Sequence, residues 1–392
     1  MIIIGRDIVR EPLHCIVPVF NPWRWKSRWK HTDRALKHFA DAGAVITLVE
    51  IAFGRRELVY KDSGLHGSAA SNCGVVGNHH FRHQYIGLRT SDELWLKENA
   101  INIGVSRLPD DWQQVCWLDA DVFFCRPNWV GETIHKLQHF DFLQMFSHAQ
   151  DLGPNYEALA QDYPHAVGLG FVEAWKRGFI RTSANPIIEA DVRTVRKDIN
   201  KFEADFNRGR LDAAGQDTAN LTNSSTKLAK DFGTEYPEYG QKRIFPGLAW
   251  ACTRTAWNKV GGLLDVAIWG GADWHISHAL IEKTEGMMRS DLHSGYQKLV
   301  MQWYHRCRTH IRQNVGVMEG TIHHMWHGRK AERGYNAKHA LLAKVGFDPL
   351  RHLKRDSQGL WQLHDDRSAA FPQLRDLLRS IAHDRNEDSI DT

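Results

Sequence analysis

The stretch VCWLDADVFF, Val115 to Phe124, sets a strand pattern against a pair of carboxylates. Six of its ten residues are aliphatic or aromatic, with the β-branched and aromatic enrichment of a buried strand, yet Asp119 and Asp121 sit in its middle. Residues two apart on a strand share a face, and if the chain turns after Asp119 both carboxylates can approach one cation. Hard oxygen ligands of this kind suit Mg²⁺ or Mn²⁺, which keep positions open for phosphate oxygens. The functional reading is a metal–diphosphate site. The plainer one is two turn carboxylates capping a helix that begins near Pro127.

On the N-terminal side of this stretch, LHCIVPVF (13–20) reads as a buried strand ending at Asn21-Pro22, followed by a helix-like run through Arg28, Ala35, Leu36 and Phe39. AVITLVEIAF (44–53) is a second strand closed by Gly54, followed by a Gly/Ser/His-rich loop (63–83) and a helical run from Ser91 to Gly104. DFLQMF (141–146) is a further short strand. Strands alternating with helices predict an α/β domain with a mostly parallel, Rossmann-like sheet flanked by helices. In open sheets of this kind ligands collect at the carboxyl ends of strands, where Asp119 and Asp121 fall.

From about 151 to 244 the pattern changes to helical runs, one around 185–206, and a polar stretch over 207–230. This predicts a helical or loop insertion, with 207–230 as a lid over the site. Pattern returns at FPGLAWACTRTAWNKVGGLLD (245–265), a strand leading into a short helix ended by Gly261-Gly262. The expected divisions are 1–150 as the first part of the domain, 151–244 as the insertion, 245–345 as its second part, and 346–392 as a charged peripheral segment.

The six cysteines are scattered without a C-x-x-C pair and read as reduced. No apolar run approaches the roughly 18–20 residues of a spanning helix, so a cytoplasmic protein with no membrane partner is expected. A net charge of +4 hides two basic clusters, six Lys or Arg against one acid over 22–38 and eight against two over 321–355.

Two further segments carry chemistry. AIWGGADWHISHAL (267–280) places Gly270-Gly271, which leave room for a close ligand, before Asp273 at the start of a helical run. The ordinary reading of Asp273 is a helix cap. TIHHMWHGRK (321–330) sets His323, His324 and His327 beside Arg329 and Lys330; imidazole can complete a metal shell and the cations can neutralise a diphosphate.

D-x-D closing a strand, then W-G-G-x-D, then a His-bearing segment resembles the nucleotide-sugar-dependent glycosyltransferases of GT-A fold, over roughly 13–150 and 245–335. The resemblance implies a UDP-sugar donor bound through Mn²⁺ or Mg²⁺, and transfer of a hexosyl or N-acetylhexosaminyl group. It implies Asp119 and Asp121 at the metal, with His324 as a further ligand and His327 as the competing choice. VPVFNP (17–22) is similar to the family's first strand, and LWLKENAINIG (94–104) to the helix before D-x-D. The implied donor-binding residues are Pro18, Asn21, Arg28, Glu50, Lys97, Asn99, Asn102, Asp119, Trp269, Gly270, Gly271, Arg329 and Lys330. Asp273 matches the carboxylate that serves as general base in inverting members; Ala272 stands where the family has an acid, which leaves the stereochemical outcome open.

NPWRWKSR, LVEIAFG, LWLKENAINIG, WLDADVFF, GLAWACTRTAW and HMWHGRK together resemble glycosyltransferase-like proteins of large bacteriophages, among them the TET-associated enzymes that glycosylate hydroxymethylated pyrimidines in DNA. That resemblance implies 5-hydroxymethylcytosine in phage DNA as acceptor and an infected bacterial cytoplasm as location. Trp23, Trp25 and Trp29, interleaved with Arg24, Lys26, Arg28 and Lys30, would suit DNA, or simply pack a helix whose charges face water. A glycan, protein or small-molecule acceptor is the alternative. From other classes, a metal-dependent nucleotidyltransferase or phosphohydrolase and an inactive sugar-binding module also use such residues.

Overall fold

Leu13–Phe20 and Val45–Phe53 are buried almost throughout, as strands covered on both faces must be. The computed structural model describes residues 12–63, 74–76, 79–81, 83–157, 167–180, 243–284, 286–328 and 342–364, and the single positions 372, 376, 379 and 388. Its strands in chain order are β1 (Leu13–Phe20), β2 (Val45–Phe53), β3 (Gly74–Val76), β4 (His79–Phe81), β5 (Gln84–Thr90), β6 (Gln114–Leu118), β7 (Val122–Phe124) and β8 (Phe142–Gln144). They continue with β9 (His148–Asp151), β10 (Val167–Gly170), β11 (Arg243–Phe245), β12 (Ala249–Thr253), β13 (Val315–Val317), β14 (Thr321–His324), β15 (Leu353–Arg355) and β16 (Trp361–Leu363).

Seven strands form a sheet in the order β13-β8-β12-β6-β1-β2-β5. Every neighbouring pair is parallel except those involving β12, which runs antiparallel to both β6 and β8. Alternation along β1 divides the core: Leu13, Cys15, Val17 and Val19 join one apolar cluster with Phe39 and Trp129, while Ile16 joins the other with Ile101, Trp257 and Trp303. Helices Lys26–Asp41 and Trp129–Lys136 contribute to the first cluster, and Lys97–Val105, Arg254–Val260 and Ser294–His310 to the second. The result is the mostly parallel, helix-flanked α/β sheet that the strand and helix patterns predict.

A second sheet, β11-β10-β9-β14-β7, departs from the sequence reading. VCWLDADVFF is not one strand: β6 stops at Leu118 in the large sheet, residues 119–121 turn, and β7 pairs antiparallel with β14 in the small one. The predicted helix from Ser91 starts only at Lys97, because 91–96 is held open, with Trp95 donating its N–H to the Ile268 carbonyl at 2.7 Å. The expected helix around 185–206 and the lid over 207–230 lie outside the described residues. The β15–β16 hairpin rests on the large domain through Asn99, which donates to the Gly359 carbonyl at 3.1 Å and accepts from the Trp361 N–H at 2.8 Å. Five cysteines, Cys15, Cys116, Cys125, Cys252 and Cys307, are free thiols. Among the described residues, no helix is long and apolar enough to cross a membrane.

Candidate metal centre

The turn between the sheets is fixed from both sides by distant segments. The Asp119 N–H donates to the Leu248 carbonyl at 2.9 Å, and the Asp121 carbonyl accepts from the Met325 N–H at 2.8 Å. Leu248 adopts a left-handed φ of 74°, uncommon for a residue with a side chain. The two carboxylates therefore leave the end of β6 in separate settings.

Asp121 meets the histidines. β14 lies between β7 and β9, with His324 in register with Val122 on one side and Asp151 on the other. Burial alternates along both β9 and β14, so Asp151 and His324 share the inward face with Ile322 and Ala149, and His323 is only partly buried on the other. His324 donates Nδ1–H to Asp151 Oδ1 at 2.6 Å, which leaves its Nε2 lone pair available. That Nε2 is 3.8 Å from Asp121 Oδ1 and 3.0 Å from Nε2 of His327, itself 3.7 Å from Asp121 Oδ2.

This donor set fits a divalent ion. Two ligands about 2.1 Å from one ion are about 4.2 Å apart at most, and one donor atom from each of Asp121, His324 and His327 lies within 4.8 Å of the others, so a small side-chain adjustment brings all three onto one ion. Asp121 Oδ1 is buried with no hydrogen-bond partner, an arrangement costly without a cation or water. Burial alone would raise the Asp121 pKa, but His324, His327, Arg28 and His31 outweigh it and hold the carboxyl at about 2. His31 also steadies the ligand segment, donating Nε2–H to the Trp326 carbonyl at 2.6 Å.

Asp119 meets a lysine instead. Lys97, the first residue of its helix, forms an ion pair with Asp119. Burial opposes the charge on Lys97, but Asp119, Glu98 and Asp273 together keep its pKa above the ordinary value. Burial raises the Asp119 pKa, Lys97 opposes it, and Asp121 adds to it. Asp273 opens the Ala272–Leu280 helix after Gly270 and Gly271, whose φ values of 95° and 85° favour glycine. Its Oδ2 packs over Gly247, where an added Cβ would come within 2.3 Å. Burial lifts the Asp273 pKa and Lys97 pulls it back. Glu98, buried beside them, is pushed up to about 8 by burial against the pull of Lys97, with Asp273 adding to the rise.

The other residues singled out by sequence are placed as follows. Pro18 lies on β1 opposite Val49. Asn21 closes the turn after β1 by bonding both the N–H and the carbonyl of Trp25, at 3.0 and 2.9 Å. Arg28 donates to the Phe20 carbonyl at 2.9 Å, lies over the Trp25 ring and contributes to the field at Asp121. Glu50 is fully enclosed and accepts from the N–H groups of Val59 and Tyr60 and the hydroxyl of Tyr85, at 2.7, 2.9 and 2.8 Å. Asn102 bonds the Leu263 backbone in both directions and Asp265, and Asn99 holds the C-terminal hairpin. These three side chains are engaged with backbone groups of the chain itself. Trp269 packs in the core against Tyr296 and Phe347. Trp29 packs edge-on to Tyr60. Arg329 and Lys330 lie outside the described residues.

Sequence reasoning missed Asp151, Glu98 and His31. Glu98 and His31 stand beside residues already singled out, and Asp151 ends a short polar strand, HAQD, that carries no apolar pattern to mark it.

No family of known proteins matches this chain, and no curated protein matches it. Among solved structures it is similar to a provisionally assigned nucleotide-diphospho-sugar transferase from Desulfovibrio desulfuricans G20, at 16% identity and a TM-score of 0.24. The match spans 35% of this chain and 58% of that one. A likeness at that level carries no argument about function, which rests on the site itself.

Proposed function

We propose that this protein is a metal-dependent glycosyltransferase of GT-A fold that moves a sugar from a UDP-sugar to a hydroxyl acceptor. The observation that carries the reading is one charged group at the carboxyl end of β6. In it Asp121, His324 and His327 converge as metal donors, while Lys97 pairs with Asp119 in the field of Asp273. A divalent ion there would offset the charge that develops on a diphosphate leaving group. Two imidazoles and one carboxylate favour Mn²⁺ over Mg²⁺, which prefers an all-oxygen shell.

In the transfer, the bond between the anomeric carbon and the diphosphate oxygen breaks with its electron pair staying on the diphosphate. The acceptor oxygen forms the new bond to that carbon, and its proton goes to the Asp273 carboxylate. Burial raises the Asp273 pKa and so makes it a stronger proton acceptor than an exposed aspartate, and Lys97 opposes that rise. Lys97 also fixes Asp119 beside the donor. As acceptor we favour 5-hydroxymethylcytosine in DNA, on the resemblance of the segments quoted above and on the exposed cations Lys26, Lys30 and Arg34 along the helix that carries His31, with Arg24 just before it.

The test is mass spectrometry of hydroxymethylcytosine-containing DNA incubated with the protein, Mn²⁺ and a panel of UDP-sugars, with UDP release followed in parallel. A hexose or N-acetylhexosamine mass on the DNA is expected. UDP release over unmodified DNA moves the acceptor to a glycan, protein or small molecule; no UDP release from any donor overturns the transferase reading. Asp273→Asn should retain donor binding and lose transfer by at least about 100-fold, the scale typical of a general base, and full transfer by this variant removes the role given to Asp273.

A further inference from the structure

We infer that Asp151 is a positioning residue of the metal centre: it holds His324 in the Nδ1–H tautomer, so that Nε2 is presented to the metal together with His327 and Asp121. The inference rests on the metal-dependent reading above and adds to it a residue outside the ligand set.

The register of two strands carries the argument. β9 and β14 are parallel, with Asp151 directly beside His324 and both side chains on the buried face. The Asp151 Oδ1 to His324 Nδ1 distance of 2.6 Å is that of a charge-assisted hydrogen bond, and Asp151 is only 4% exposed, so water competes little for it. A carboxylate is acceptor-only, so the shared proton stays on the imidazole Nδ1. The ring is thereby fixed in both rotation and tautomer. Its Nε2 faces Asp121 at 3.8 Å and His327 at 3.0 Å, and no rotation that exchanged the two nitrogens would keep the Asp151 contact.

The carboxylate also makes the imidazole a stronger donor. Partners of this kind orient metal-bound histidines and raise their basicity, and their loss costs roughly 10–100-fold in metal affinity. Placing such a carboxylate behind an imidazole favours a borderline ion such as Mn²⁺ over Mg²⁺, because it strengthens the nitrogen ligand that Mg²⁺ uses poorly.

The experiment uses the full chain and Mn²⁺ alone, with no sugar nucleotide or acceptor. Mn²⁺ affinity is read by electron paramagnetic resonance for wild type and Asp151→Asn, whose amide oxygen can still accept the same hydrogen bond without the charge. A roughly 10–100-fold weaker affinity is expected in the variant. Wild-type binding with an unchanged Asp151→Asn affinity overturns the inference and leaves the metal-centre reading standing; no Mn²⁺ binding by wild type overturns both. A second measurement needs no folded Asp151 variant: nitrogen-15 spectra of histidine-labelled, metal-free wild type, with His324 assigned by its loss in His324→Gln. The Nδ1–H tautomer is expected, and an Nε2–H tautomer at His324 overturns the inference.

Discussion

β1 and β2 run for eight and nine residues with almost every side chain buried, whereas β7, β9 and β14 are three or four residues long, and β9 and β14 are mostly polar with burial alternating along them. The first pair is a scaffold held by apolar burial on both faces. The second group holds Asp151 and His324 and delivers them to Asp121 in the turn before β7. Short strands contribute little to a core, but their register places side chains to within a fraction of the strand spacing. In this molecule the large sheet carries most of the apolar core and the small one brings the candidate ligands together.

That division predicts opposite responses to substitution. Asp121→Ala removes the carboxylate that joins both histidines and should weaken Mn²⁺ binding by more than about 100-fold, beyond what loss of an outer partner costs. Its melting temperature should stay within a few degrees of wild type, because the ladder of the small sheet is backbone-bonded; calorimetry beside a metal titration reads both. A collapse of Tm in this variant would make the small sheet part of the stabilising core and end the contrast.

In the large sheet, Leu48 on β2 is fully buried, and Leu48→Ala should cost about 2–5 kcal/mol of stability through lost burial and a cavity. The folded fraction should bind Mn²⁺ as tightly as wild type. Urea unfolding and metal titration together check this, and a weakened metal site would show that strain in the scaffold reaches the ligands.

A pH-dependent effect sits where the two regions meet. Glu98 in the fold has its pKa pushed up from 4.5 to about 8, chiefly by burial. Between those values the unfolded chain has released the proton that the folded one keeps, so this group makes stability fall as pH rises. Glu98→Gln should remove that slope, up to about 1.4 kcal/mol per pH unit, between roughly pH 4.5 and 8. Unfolding curves at pH 5 and 7.5 for both proteins measure it; identical slopes would mean that Glu98 ionises in the fold.

LHCIVPVF and AVITLVEIAF are legible as strands because a strand buried on both faces is a continuous apolar run, a local property. The end of the Arg254–Val260 helix at Gly261 and the start of the Ala272–Leu280 helix after Gly271 are legible for the same reason, since glycine's tolerance of positive φ marks each boundary. VCWLDADVFF misleads because its apolar flanks belong to two different sheets, and only the pairing of β7 with β14 reveals the break. Asn99, Asn102 and Glu50 read in a linear sequence only as polar side chains, and their hydrogen bonds to the backbone of Trp361, Leu263 and Tyr60 appear only in the fold.

Residue chemistry and periodicity, both local, were enough to set the α/β class, the main strands and the stock of carboxylates and imidazoles. The separation of Asp119 from Asp121, the meeting of Asp121 with His324 and His327, and the presence of Asp151 behind them came from long-range strand pairing. A hydrogen-bond partner 173 residues away leaves no local periodicity to read; the Asp151–His324 contact exists only because β9 and β14 lie side by side in that one register.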